Sequence, residues 1–347
     1  MAENKDFEAI MKEITGGLTG DPQADMQYLQ EQGDKYKDHE YGKEILRACG
    51  RLMYELIPDD KKEELNKVLA KDNMGYDAAM EEVRFNIYKK NYDKALKLIE
   101  DMISKYEESG MFKDDAVSEY HCFREPMEEI LYCEYTKPEK DIRRATYDYA
   151  DMYLTYGSLL VEMQRIEEAA DALFNAMKWN PAYVKIAFEY AETFKMRGML
   201  EEFKDITKNA FKYAYRPEDI ARCYRNMSFY FVEVKDYDTA VCCLLFSMQY
   251  EKSQMVNSEL YYISQVTGKM YQPSEEELSK HFKDNEIPFG PEIEMLKIAY
   301  AYGQHFYEQG DMASAEYFLG IFVSFIQDEK AQQMYDDAKA KVEANRG

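Results

Sequence analysis

Cations are what this chain most lacks. Against 67 Asp and Glu it sets only 44 Lys and Arg, for a net charge of −23. Such a field repels polyphosphate and anionic lipid at long range, so nucleic acid and membrane are both poor partners. Histidine is equally scarce. His39, His121, His281 and His305 stand apart, and no His-Glu-x-x-His spacing draws two of them to one helix face, so no metal centre is expected. There is no glycine-rich phosphate loop and no Gly-x-Ser-x-Gly turn, so no cofactor and no enzymatic activity is expected. The six cysteines contain no Cys-x-x-Cys pair, which predicts reduced thiols rather than a disulfide framework or a zinc site. No apolar run reaches the length of a membrane span, and MAENKDFEAIMKEI lacks the basic start and apolar core of a secretion signal. A cytoplasmic protein is expected.

Proline and glycine are sparse too, and they fall between periodic segments, so the chain reads as nearly all helix. What is abundant is self-similarity. A small residue recurs at Gly157, Ala191, Ser228 and Gly303, in steps of 34, 37 and 75. The same steps separate Ala169, Phe203, Ala240 and Ala315, and again Ala176, Ala210, Ser247 and Phe322. A step of 75 is two units plus a few residues. A fixed period of this size means stacked helical hairpins, an architecture that offers a binding surface more often than a catalytic centre.

Residues 1–75 read as an N-terminal helical module, with Asp21-Pro22 as a cap and first helical residue, and residues 76–347 as the solenoid. Two stretches break the period. Segment 110–142 carries SEYHCFREPMEEILYCEYTKPEK, with Pro126 placed to open a short helix. It reads either as a packing insertion that seals a joint between hairpins or as a lid over the binding face. Segment 254–292 ends in IPFGP. The last twenty residues alternate charge along a helix and suit a C-terminal cap.

The units resemble the tetratricopeptide repeat family. Tyr153, Tyr156, Gly157, Leu160, Ala169, Leu173, Ala176 and Pro181 fill that family's slots in one unit. Tyr224, Met227, Ser228, Phe231, Tyr237, Ala240 and Leu244 fill them in a second, and Ala299, Tyr302, Gly303, Phe306, Gly310, Ala315 and Leu319 in the last. A middle unit fits less well, because Phe203 occupies a place where alanine is usual. The resemblance implies an all-α fold, a right-handed α-α superhelix, whose first helices line a concave groove for a peptide or an extended protein segment.

That register names the groove residues. Lys185, Phe188, Glu192 and Lys195 form one stripe, Arg222, Arg225 and Phe229 the next with Asn226 beside them, and Lys297, Tyr300, Gln304 and Tyr307 the last. The expected peptide-binding set is therefore Lys185, Phe188, Lys195, Arg222, Arg225, Asn226, Phe229, Tyr300 and Tyr307. Four cations in two neighbouring stripes reverse the sign of an acidic chain and suit an acidic or carboxylate-bearing segment. The competing reading has Lys185 and Lys195 pairing with Glu192 or Glu189 at helical spacing, and the arginines bridging acidic neighbours. Some family members clamp a C-terminal carboxylate through Lys, Asn and Arg. Arg222 and Asn226 resemble part of that set, but Phe188 and Glu192 stand where Lys and Asn belong. The layout, a helical module followed by repeats, is also similar to the Rap family of bacterial peptide-sensing regulators, which act on protein partners. A third reading, an enzyme on a helical scaffold, requires a cavity near His121, Cys122 and Arg124.

Overall fold

The computed structural model describes residues 3–108 and 112–346; residues 109–111, which include the start of the 110–142 insertion, lie outside the described residues, as do both chain ends. Among the described residues are seventeen α-helices covering 73% of the chain, with almost no sheet. Successive helices pack in sequence order, as an α-solenoid requires. The chain divides into two compact units, residues 1–122 with 138–159, and residues 123–137 with 160–347.

In the first unit, α1 (Glu3–Gly16), α2 (Pro22–Lys35) and α3 (Gly42–Leu56) enclose a core of Phe7, Ile14, Leu29, Tyr41, Ile45 and Cys49. Asp21 caps α2 by accepting from the amides of Gln23 and Ala24 at 3.0 and 2.9 Å, with Pro22 at the first turn. Asp25, 2% exposed, takes the Thr19 and Gly20 amides and the Thr19 hydroxyl, which together hold its carboxyl below the usual range against burial. Then α4 (Asp59–Tyr88) runs unbroken through the expected boundary after residue 75 and packs on α5 (Tyr92–Glu108). The lone Gly75 costs such a helix only about 1 kcal/mol, too little to end it. Two strands, β1 (Ser118–His121) inside the 110–142 stretch and β2 (Asp141–Arg144) across its end, pair in parallel. Four-residue strands carry too little alternation to be read from sequence.

The second unit holds α6 (Pro126–Thr136), opened by Pro126 as expected. There follow α8 (Ile166–Trp179), α9 (Val184–Met196), α10 (Leu200–Ala210), α11 (Pro217–Glu233) and α12 (Tyr237–Ser247), each packed on the next. The irregular stretch forms α13 (Gln254–Thr267) and α14 (Glu275–Asp284), both resting on α12, and α15 (Ile293–Gln309), α16 (Met312–Val323) and α17 (Glu329–Arg346) complete the unit. Between α5 and α8 lies α7 (Tyr149–Glu162), which begins in the first unit and ends in the second.

The repeat is also written in the backbone. Gln164, Gly198, Lys235 and Gly310 all have positive φ, between 60° and 83°, and are separated by the same steps as the side-chain slots. After each, an amide reaches back to close the turn: Arg165 to Leu160, Met199 to Phe194, Asp236 to Phe231 and Asp311 to Phe306, at 2.8–3.0 Å. This is the left-handed cap that satisfies a helix's last carbonyls. Only two of the four positions are glycine, so residue type alone hides the pattern. Small slots act as expected: an added Cβ on Gly303 of α15 would stand 2.7 Å from Leu319 Cγ on α16.

Gly303→Ala is therefore expected to destabilise the protein by about 1–2 kcal/mol, overpacking outweighing the better helix propensity of alanine. On α3, a Cβ at Gly50 meets nothing within 4 Å, so Gly50→Ala should stabilise by roughly 0.5–1 kcal/mol. Urea denaturation of both variants reads the two signs, and a stable Gly303→Ala would refute the close α15–α16 approach.

Candidate binding groove

The site is built on α11, a helix with two different faces. Its back carries Ile220, Cys223, Tyr224, Met227 and Phe231, all buried. The Tyr224 hydroxyl donates to the Pro288 carbonyl and accepts from the Gly290 amide, both at 2.7 Å, which fixes the helix's rotation. Its front carries Arg222, Arg225, Asn226 and Phe229. With Glu192 and Lys195 of α9, Leu244 of α12 and Met255, Val256 and Glu259 of α13, these line a cavity of about 400 Å³.

Five of the nine residues expected from sequence thus meet in one place: Lys195, Arg222, Arg225, Asn226 and Phe229. A sixth, Phe188, is 1% exposed and serves as the surface beneath Arg222, whose guanidinium carbon stands 4.6 Å from its ring centre. Lys185 is exposed on the first turn of α9, outside the lining. Tyr300 and Tyr307 on α15 lie elsewhere. Both pack on the core shared with α17, and the Tyr307 hydroxyl donates to Asp337 at 2.7 Å. Tyr307 is thus engaged by α17, and Tyr300 packs on Phe322 of α16 with ring centres 5.0 Å apart.

The cations are not idle. Arg222 pairs with Glu189 at 3.1 Å, Arg225 with Glu251 at 2.7 Å and Lys195 with Glu192 at 3.3 Å. The Lys195 ammonium also sits 4.1 Å from the Phe229 ring centre, and that ring leans edge-on against the buried Phe203 at 5.5 Å. Phe203, the bulky residue in an alanine slot, therefore props one wall of the cavity. One turn before Arg222, burial and Glu218 push the Asp219 carboxyl up to about 6, against the pull of Arg216, Lys185 and Arg222. Such half-exposed ion pairs hold each side chain in place but contribute little stability, about 0–1 kcal/mol each.

Asn226 is the exception. It is 8% exposed, it lines the cavity, and its Nδ2 has no protein partner. A buried amide left this way costs about 1–3 kcal/mol.

No residue of α6 lines the cavity. Within the second unit, α6 is packed into the stack: Met127 and Leu131 are fully buried, and Glu125 pairs with Arg216. Glu128 accepts from the Asn180 side chain and the Arg124 amide, both at 2.8 Å. These contacts fall on the turns that join one hairpin to the next. In the first unit, Cys122 donates to the Tyr147 carbonyl at 3.3 Å, and burial pushes its thiol up to about 12, so it is no ready nucleophile. Burial likewise raises the thiols of Cys223 and Cys243 well above their ordinary value.

Met255, Val256 and Glu259 escaped the sequence reading because they belong to the aperiodic stretch, where no register assigns a face, and the Arg225 partner Glu251 because it lies in the link between α12 and α13. The one usable signal was the spacing of Met255, Glu259, Tyr262 and Val266, which places all four on one side of α13. A scan of protein-family models gives no match to this chain, and no curated protein matches it.

Asn226→Leu fills the same space without the unmatched amide and is expected to raise stability by about 1 kcal/mol. Thermal denaturation at neutral pH measures it. A lower melting temperature would mean that the amide is needed by the fold itself.

Proposed function

We propose that this protein is a non-catalytic scaffold of tetratricopeptide type, a right-handed superhelix that grips a peptide or an extended segment of another protein between α9, α11 and α13. The observation that carries this reading is the cavity itself. Leu244, Val256 and Phe229 give it an apolar lining, three paired cations wall it, and Asn226 leaves a buried donor without a partner inside it. Apolar lining with a few convergent polar groups is the usual composition of a ligand site. Aromatic and arginine side chains that are held in place before binding lose little entropy when a partner arrives.

The charge of −23 supports a protein partner over nucleic acid. Among the described residues no helix is long and apolar enough to cross a membrane. We place the protein in the cytoplasm, where its six free cysteines would stay reduced. Thiols held protonated by burial support a role without covalent chemistry.

The test is Arg222→Glu combined with Arg225→Glu. Each new carboxylate would face the glutamate that its arginine now holds, Glu189 or Glu251, and would push the cavity walls apart whatever the ligand's charge. Partners captured by the wild-type protein and identified by mass spectrometry should be lost by the double variant and kept by a Phe174→Ser control on α8, which lies outside the cavity. An unchanged set of partners would refute the groove assignment.

A further inference from the structure

We infer that the occupant of this groove is an uncharged, apolar segment, anchored by a carbonyl oxygen on Asn226 and laid along the exposed stripe of α13. The inference rests on the groove reading above and adds the chemistry of the ligand.

Three observations lead to it. The first is the Asn226 amide, buried, lining the cavity and without a protein acceptor. Its Nδ2 is a donor, so what completes it is an acceptor oxygen, either a neutral carbonyl or a carboxylate.

The second observation decides between those two. Register suggests a cationic patch for an acidic ligand, but each of the three cations that line the cavity is already paired. Lys195, Arg222 and Arg225 are matched by Glu192, Glu189 and Glu251, and Glu259 joins Glu192 as a second carboxylate in the lining. A ligand carboxylate would have to compete with the glutamate that already holds each cation, in a chain whose overall field repels anions. A ligand cation would meet the same three side chains with the wrong sign. A neutral carbonyl satisfies Asn226 and leaves all three ion pairs standing.

The third observation concerns α13. Met255, Tyr262 and Val266 are 66%, 51% and 48% exposed, and their spacing places them on one face with Glu259. Met255 and Glu259 line the cavity, so this face continues it. Three large apolar side chains in a row are unusual on a helix surface this open to water, whereas single ones are common. The aperiodic stretch thereby supplies a wall that the regular hairpins do not, and its apolar character suits the same occupant that Asn226 requires.

Affinity selection of a random library of capped hexapeptides on the full-length protein tests this. The wild type is compared with Asn226→Leu, with Met255→Ser/Val266→Ser and with Arg225→Glu, each checked by thermal melting. Because Asn226→Leu is expected to melt higher than wild type, lost binding in that variant would not reflect unfolding. The expected result is enrichment of uncharged peptides rich in apolar residues, with affinity for the best of them falling about tenfold in Asn226→Leu, the size of one hydrogen bond to a desolvated donor. A similar fall is expected in the α13 variant. Enrichment of acidic peptides that depend on Arg225, or of basic ones, would overturn the inference and leave the groove reading intact. Uncharged peptides indifferent to the α13 variant would remove α13 from the site and overturn the inference as stated. No enrichment, or enrichment insensitive to every variant, would sink the groove reading and this inference with it.

Discussion

The hydroxyl of Tyr224 is the point on which the site depends. It is fully buried, gives its proton to the Pro288 carbonyl and receives one from the Gly290 amide. Its ring is enclosed by Phe211, Phe246 and Phe282, with centroids 4.9–5.5 Å away. Both partners belong to the IPFGP turn, and Gly290 takes a positive φ of 93° that other residues adopt only at a cost. A buried hydroxyl with donor and acceptor both satisfied carries no desolvation penalty, and it would carry one in any other rotation of α11. Two residues along an α-helix turn about 200°. Locking Tyr224 inward therefore points Asn226 the opposite way, into the cavity.

The second aperiodic stretch thus has two tasks. Its closing turn holds the back of α11, and its first helix, α13, forms a wall in front of it. What looks like a lapse in the repeat is the part that makes this array particular. The first lapse serves differently: α6 carries Glu125 and Glu128 onto the turns between hairpins, where Arg216 and Asn180 meet them. No residue of α6 lines the cavity, so this helix acts as packing and not as a lid over it.

Much of this was legible in the residues. The small slots located the close helix contacts, as Gly303 against Leu319 demonstrates, and Asp21-Pro22 and Pro126 marked helix starts correctly. Register also placed five groove residues together. It did not bring Tyr300 and Tyr307 to the same cavity: they pack on Phe322 of α16 and Asp337 of α17, and one helix's periodicity says nothing about which neighbour lies on it. For the charge of the site, the competing reading of cations paired with acidic neighbours is what the structure shows. Glu189 is on α9, two helices before Arg222, and Glu251 follows α12, so both arginines are neutralised by tertiary neighbours, whereas Lys195 pairs with Glu192 one turn away on its own helix. Leu46 shows the same limit in the first unit, apolar in the pattern of α3 yet 53% exposed. The parallel strands left no trace, being four residues each and far apart in sequence.

The central claim is that a partner segment lies in the cavity between α9, α11 and α13. A photo-activated cross-linking residue placed at Met255, exposed at the cavity's edge, tests it most directly when compared with the same residue at Phe174 on α8, which is also exposed but remote from the lining. Irradiation of cells producing each protein should yield a covalent adduct with another chain at position 255 and none at 174. Adducts at 174 with none at 255 would contradict the account.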